Sequence, residues 1–231
     1  MVFGSLYFLA VFLPVAVFGH WALQLALRGG RAATVAANAW LLCASLAACF
    51  LWDLKGLPVF AACAVATDVA ARIVHRSRRE RVRSIVAAAG VTANLALLCF
   101  FKYSGIVESW VSSCAPDGII PAPRIVIPLG MSFWVFRAIS YLIDVRRGTH
   151  PPAANPLDFI CWMALFPIFV SGPIVRWNDV AESFRSRPFS ADLAASGFRR
   201  LFVGVAKKTL VADILAGFAN AAWTVAGEDM A

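Results

Sequence analysis

Apolar residues in this chain come in blocks about as long as a bilayer is thick, and polar residues gather in the gaps. The first block runs from Val2 to Leu27, interrupted at Pro14, and stops at Arg28-Gly29-Gly30-Arg31. A second covers Ala32 to Trp52, and the turn Asp53-Leu54-Lys55-Gly56 leads into a third, Leu57 to Val74. A fourth runs from Ser84 to Tyr103 and a fifth from Ile125 to Val145. Runs near the roughly 20 residues needed to cross a hydrocarbon core predict membrane-spanning helices.

The sixth block is different. In ALFPIFVSGPIVRW, Ala164 to Trp177, the apolar run carries Pro167, Gly172 and Pro173 and ends on Arg176. A regular spanning helix does not accommodate that backbone, whereas a segment that dips into the membrane and returns, or lies along its interface, does. A last apolar block, Leu201 to Val225, has Lys207 and Lys208 close to its start. The predicted fold is therefore an all-α polytopic membrane protein. It has about five transmembrane helices, a re-entrant or interfacial segment and a final apolar helix.

Charge supports the same reading. The stretch RIVHRSRRERVR, Arg72 to Arg83, holds six Arg and belongs on the cytoplasmic side of a membrane. Counting outward from it puts Arg28 and Arg31 inside, Asp53 outside, and the loop with Cys114, Asp117, Pro121 and Pro123 outside. Arg146 and Arg147 then fall inside. An ordinary span over Leu157 to Val175 would send Arg176, Arg185, Arg187, Arg199 and Arg200 outside, and a segment that turns back avoids this.

Composition agrees: 61% of the 231 residues are hydrophobic and 15% charged, with a mean hydropathy of +0.75, more than one soluble core requires. The net charge of +8 is spread among the gaps, so topology-setting loops explain it without a nucleic-acid partner. Five of the six Cys lie inside apolar runs with no paired spacing, and neither a disulfide framework nor a metal site is expected. No Gly-x-Ser-x-Gly elbow, Walker-type loop or His-Glu-x-x-His sequence occurs.

The remaining candidates are charges in apolar surroundings. Arg137, mid-run in MSFWVFRAISYL, must face a polar cavity, a carboxylate or an anionic ligand. Asp144 is read as an interfacial partner of Arg146 and Arg147, and Asp68 as an i, i+4 partner of Arg72. Arg176 either anchors to headgroups or binds an anion, and Lys207 and Lys208 are placed to pair with Asp213. His20, His75 and His150 lack a buried helical setting beside a substrate path, so none is taken as a catalytic base.

Two ordered blocks carry a resemblance. VIPLGMSFWVFRAISYLIDVRRG, Val126 to Gly148, and FPIFVSGPIVRWNDV, Phe166 to Val180, are similar to the signature region of the membrane-bound O-acyltransferase family. The nearest branch is the bacterial one that serves alginate O-acetylation and teichoic-acid D-alanylation. Pro128, Gly130, Ser132, Phe133, Phe136, Ser140, Tyr141, Asp144, Arg147 and Gly148 match its first motif. Phe166, Pro167, Gly172, Pro173, Ile174 and Arg176 match its second. Weaker echoes, FFKY at Phe100 and GVAKKTLVADILA at Gly204, extend the likeness from Phe100 to about Ala219. Arg137 and Ile168 depart from the family, which commonly has Gln or a small polar residue in place of Arg137 and a Gln-like residue in place of Ile168.

The resemblance implies one membrane domain over 1–231, with N-terminal helices over 1–103 and the signature region over 125–220, corresponding to the N-terminal half of the family's fold. It implies a multi-pass protein of the bacterial cytoplasmic (inner) membrane that moves an acyl group, with acetyl expected. The donor would be a cytoplasmic thioester, acetyl-CoA or an acyl carrier protein, met as substrate rather than as a bound cofactor. The acceptor would be a hydroxyl of an extracytoplasmic polysaccharide or of a relay acyltransferase. Arg137, Arg176, Lys207 and Lys208 become donor-side candidates; Ser140, Tyr141, Asp144, Pro167, Gly172 and Pro173 become structural motif residues. The family's catalytic His is expected in a helix beyond Ala231, so no catalytic residue is expected among 1–231. A catalytically inactive anchor that binds a partner is the alternative, and a transporter with a broken helix along its path a more distant one.

Overall fold

The computed structural model describes residues 7–50, 53–114, 126–187 and 190–228, with backbone alone at 50, 107–114 and 224–228. The expected outer loop with Asp117, Pro121 and Pro123 lies outside the described residues. The described residues are helical, with no strand. Backbone contacts divide the described residues into two compact units, one within 12–187 and the other combining 7–11 with 190–228.

In the first unit the blocks become α1 (Leu13–Ala26), α2 (Gly30–Phe50), α3 (Leu57–Arg76) and α4 (Glu80–Cys114). Four helices are long and apolar enough to cross a membrane: Phe8–Ala26, Gly30–Cys49, Leu57–Arg76 and Glu80–Ile106. Pro14 falls in the first turn of α1, directly after a π-helical stretch at Phe8–Phe12. Lacking an N–H, it relaxes the backbone ladder there without ending the helix.

The fifth expected span is shorter than its apolar block. α5 (Met131–Arg147) has 17 residues and starts at Gly130, which holds a left-handed conformation (φ +66°). A Cβ at Gly130 would stand 2.3 Å from the Phe169 carbonyl oxygen, so the turn presses directly on another piece of backbone. At the other end Gly148 (φ +75°) closes the helix, with Thr149 N–H donating to the Asp144 carbonyl at 3.1 Å, a Schellman termination. Buried Met131, Trp134, Val135, Arg137, Ala138, Tyr141, Leu142, Asp144 and Val145 surround most of its circumference, which makes α5 the central helix.

The irregular block becomes α6 (Pro156–Ala164), a break at Leu165, the single turn α7 (Phe166–Phe169), a bend through Gly172, and a non-helical stretch to Arg176. There α8 (Trp177–Arg185) begins. Its near end lies by the C-terminus of α5: Ala153 N–H donates to the Tyr141 hydroxyl at 2.9 Å. Its far point, Phe169, abuts Gly130 at the N-terminus of α5. The chain then returns, because Trp177 packs edge-on to His150 at 6.4 Å and Asn178 meets Thr149. The excursion therefore travels the length of α5 and comes back.

Packing is tight where the sequence supplies small residues. Ala16 and Gly19 of α1 receive Trp40, whose indole N–H donates to the Ala16 carbonyl at 3.0 Å. Ala33, Ala37, Ser45, Ala48 and Cys49 form a buried stripe on α2. Between α3 and α4, the Asn94 amide accepts from the Cys63 thiol at 3.0 Å and donates to the Gly90 carbonyl at 2.8 Å. Phe60, Trp134 and Phe169 meet edge-to-face near Gly130.

The second unit corrects the expected last helix. Helix begins at Ala191, well before the apolar block, as α9 (Ala191–Lys207); a π-helical stretch at Lys208–Ala212 leads into α10 (Asp213–Glu228). Ser190 caps it, accepting from Leu193 N–H at 3.3 Å, and Asp192 lies in the first turn. α9 is amphipathic, with Phe198, Leu201, Phe202 and Val205 along one side and Arg199, Arg200 and Lys207 along the other. That alternation lowers local hydropathy and hides its start from the block pattern.

Candidate functional site

The candidate site forms where the broken block meets α5. In an unbroken helix the Trp162 carbonyl would accept from Phe166 N–H. Leu165 leaves helical geometry (φ −55°, ψ 113°), and Pro167 sits in the first turn of α7, where its missing N–H costs little. The break frees both groups, and two other helices satisfy them. Ser45 of α2 accepts from Phe166 N–H at 3.2 Å, and Arg137 Nη1 donates to the Trp162 carbonyl at 2.9 Å.

Arg137 is thus placed by two requirements. Its position on the inner face of α5 leaves it 1% exposed, and its guanidinium lies 5.9 Å from the Trp162 ring centroid. Its Nε and Nη2 have no hydrogen-bond partner. Ser140, one turn on, turns back on its own helix and donates to the Arg137 carbonyl at 2.8 Å.

An aromatic cluster surrounds this point. Tyr141 stacks tilted on Phe159 at 4.6 Å, Trp162 lies 5.7 Å from Trp177, and Trp177 lies 5.5 Å from Phe184. Trp177 is 4% exposed, and the indole N–H groups of Trp162 and Trp177 lack acceptors. Sequence reasoning singled out neither Trp. The available signal was a Trp on each side of the broken stretch.

At the same end, α2 is tied to the excursion through one amide. Asn38 donates to Asp158 at 2.8 Å and to the Phe184 carbonyl at 2.9 Å, so it bridges α2, α6 and α8. Burial raises the Asp158 pKa, while the Asn38 hydrogen bond and the charges of Arg187 and Arg31 pull the other way. Burial lowers the Arg187 pKa, opposed by Cys161 and Asp158. His20 contacts the Ala37 carbonyl through Nδ1 at 3.3 Å and is buried against α2.

The remaining predicted residues separate. Asp68 pairs with Arg72 at 2.7 Å as expected, and Arg72 also donates to the Ala153 carbonyl at 3.0 Å, holding the 148–155 loop on α3. Asp144 does not pair with Arg146 or Arg147. It is 5% exposed, its Oδ2 has no partner, and Arg146 instead pairs with Glu80 and donates to Ser84 of α4. The helix explains this: Asp144 faces inward, whereas Arg146 and Arg147 point to the flank and surface.

Pro167 shapes the break, and Gly172 (φ +132°) with Pro173 shapes the bend. Arg176 is exposed at the N-terminus of α8, immediately before Trp177. Lys207 and Lys208 lie in the second unit, where Lys208 pairs with Asp213 at 2.7 Å.

No family model matches the chain, and no solved structure matches it. Curated relatives do. A probable alginate O-acetylase of Pseudomonas aeruginosa is 34% identical over 95% of this chain and 41% of its own length. The protein of the same name from Azotobacter vinelandii is also 34% identical, over 95% of this chain and 43% of its own. A peptidoglycan O-acetyltransferase of Helicobacter pylori is 25% identical over 95% of this chain and 46% of its own. The chain thus spans less than half the length of these relatives.

Proposed function

We propose that this chain, which belongs to the alginate O-acetylase branch of the membrane-bound O-acyltransferases, forms the donor-side part of an O-acetyltransferase in the bacterial inner membrane. The observation that carries this reading is the relationship over 95% of the chain to proteins named for O-acetylation. In the proposed reaction the C–S bond of a cytoplasmic acetyl thioester breaks. An ester C–O bond forms on a hydroxyl of an extracytoplasmic polysaccharide or relay protein. The hydroxyl proton goes to a base and the thiolate leaves.

The helix bundle suits this task once it is oriented. The end bearing Arg28, Arg31, Arg76, Arg78, Arg79, Arg146 and Arg147 faces the cytoplasm, where Lys and Arg accumulate in short loops. α5 makes a fifth crossing, short but sheltered by its neighbours. The excursion from Asn155 to Arg176 enters from the cytoplasmic side and returns to it. Irregular backbone at membrane depth is then covered by protein, as it must be where no water can satisfy it. Arg176, exposed at the cytoplasmic mouth, meets the phosphates of the donor, and Arg137 lies deeper on the same path.

Ester-linked acetate on extracytoplasmic polysaccharide, released by mild alkali and quantified, tests the reading. Deleting the gene lowers it, and restoring the wild-type gene returns it. Restoring R176A in its place leaves it about tenfold lower or lower still, in line with loss of a charge-assisted hydrogen bond of about 1.5–3 kcal/mol. Acetate unchanged by deletion overturns the proposal.

A further inference from the structure

Buried polar groups in folded proteins find partners, and a cluster of them without any marks a place where something else supplies the partner. Arg137 Nε and Nη2, Trp162 Nε1 and Trp177 Nε1 are such groups, and all four are donors. The three side chains adjoin: Arg137 lies over the Trp162 ring at 5.9 Å, and Trp162 lies 5.7 Å from Trp177. The acceptor at hand, the Trp162 carbonyl, is already taken by Arg137 Nη1 at 2.9 Å and Leu165 N–H at 3.4 Å. The Asp144 carboxylate cannot serve, since seven residues along α5 put it about 10 Å further down the helix.

We infer that Arg137, Trp162 and Trp177 form a buried, donor-only seam that receives acceptor oxygens of the thioester arm of the acyl donor: its amide and thioester carbonyls. The inference rests on the donor-side reading and adds to it the groups that would hold the arm. The rings of Tyr141, Phe159 and Trp162 pack beside these groups, an apolar setting in which an unpaired donor is costly and an incoming acceptor oxygen is correspondingly favoured. The nucleotide's phosphates stay at Arg176, which is exposed and directly precedes Trp177. A thioester carbonyl beside a guanidinium is polarised toward attack, because charge developing on its oxygen meets a fixed positive partner.

The experiment uses the purified chain in lipid nanodiscs, 15N-labelled at its indoles, with acetyl-CoA as probe. Signals of Trp162 and Trp177 are assigned from W162F and W177F. Acetyl-CoA is expected to shift both indole N–H signals and leave the other Trp signals in place. R137M also loses the hydrogen bond to the Trp162 carbonyl, so it is compared with wild type at a temperature where both are folded. There it binds acetyl-CoA about tenfold more weakly, the loss expected when a charge-assisted hydrogen bond goes. Binding to wild type with both indoles unmoved, or with R137M at wild-type affinity, overturns the seam and leaves the donor-side reading standing. Wild type that does not bind acetyl-CoA at all overturns both. Should R137M fail to fold, the wild-type indole shifts decide alone.

Discussion

At the scale of single residues, the start of α5 depends on a missing Cβ. Gly130 combines a left-handed backbone with a carbonyl 2.3 Å from where that Cβ would sit. Alanine there meets strain in φ and a backbone clash together, and neither contact is a side chain that can swing away. G130A is expected to destabilise the protein by about 2–3 kcal/mol, the range of a strained non-Gly residue plus local repacking. The measurement is the unfolding midpoint in detergent; a loss below about 0.5 kcal/mol would show that the turn relaxes freely. The family pattern flags Gly130 and Gly148 without giving their reason, since φ at a glycine depends on where the chain goes next. The expectation for Asp144 fails for a related cause. Its neighbours in sequence are two Arg, but helical geometry sends Arg146 to Glu80 and keeps Asp144 inside.

At the scale of elements, hydrophobic block length identifies α1 to α4, because lipid-length helices announce themselves by composition. The broken block is also legible from Pro167, Gly172 and Pro173. Its partners are not, because Ser45 and Asn38 are single polar residues in an Ala-rich helix with no local sign of what they reach. Asn38 is the element-scale hinge of the site, one amide that serves α6 and α8 at once. N38A leaves the Phe184 carbonyl and Asp158 without that donor. It should cost about 1–3 kcal/mol in thermal or denaturant unfolding and expose α8 to limited proteolysis before α1–α5. Proteolysis that starts equally everywhere would remove Asn38 from that role.

At the scale of the whole molecule, the arrangement predicts which residues share a side of the membrane. With the six native Cys replaced, single Cys at Ala154 and at Asp179 should react with an impermeant maleimide from the same face as Cys at Arg78. Cys at Lys55 should react from the other. Labelling of 154 and 179 from opposite faces would make the excursion a crossing. Charge counting anticipates a same-face result because a basic flank on each side of an apolar segment is a global constraint, visible without any contact. The amphipathic α9 escapes such counting, since its charges and apolar residues lie on opposite faces of one element.

The return of the chain to its starting end also carries a rule of parity. Each of α1 to α4 reverses the direction in which the chain runs, so losing any one inverts every later segment. The excursion between Asn155 and Trp177 leaves from and arrives at the same end of α5, so in the proposed orientation it adds no net crossing. In that orientation the chain beyond Trp177 sets out from the side on which the excursion began, whatever depth the excursion reaches.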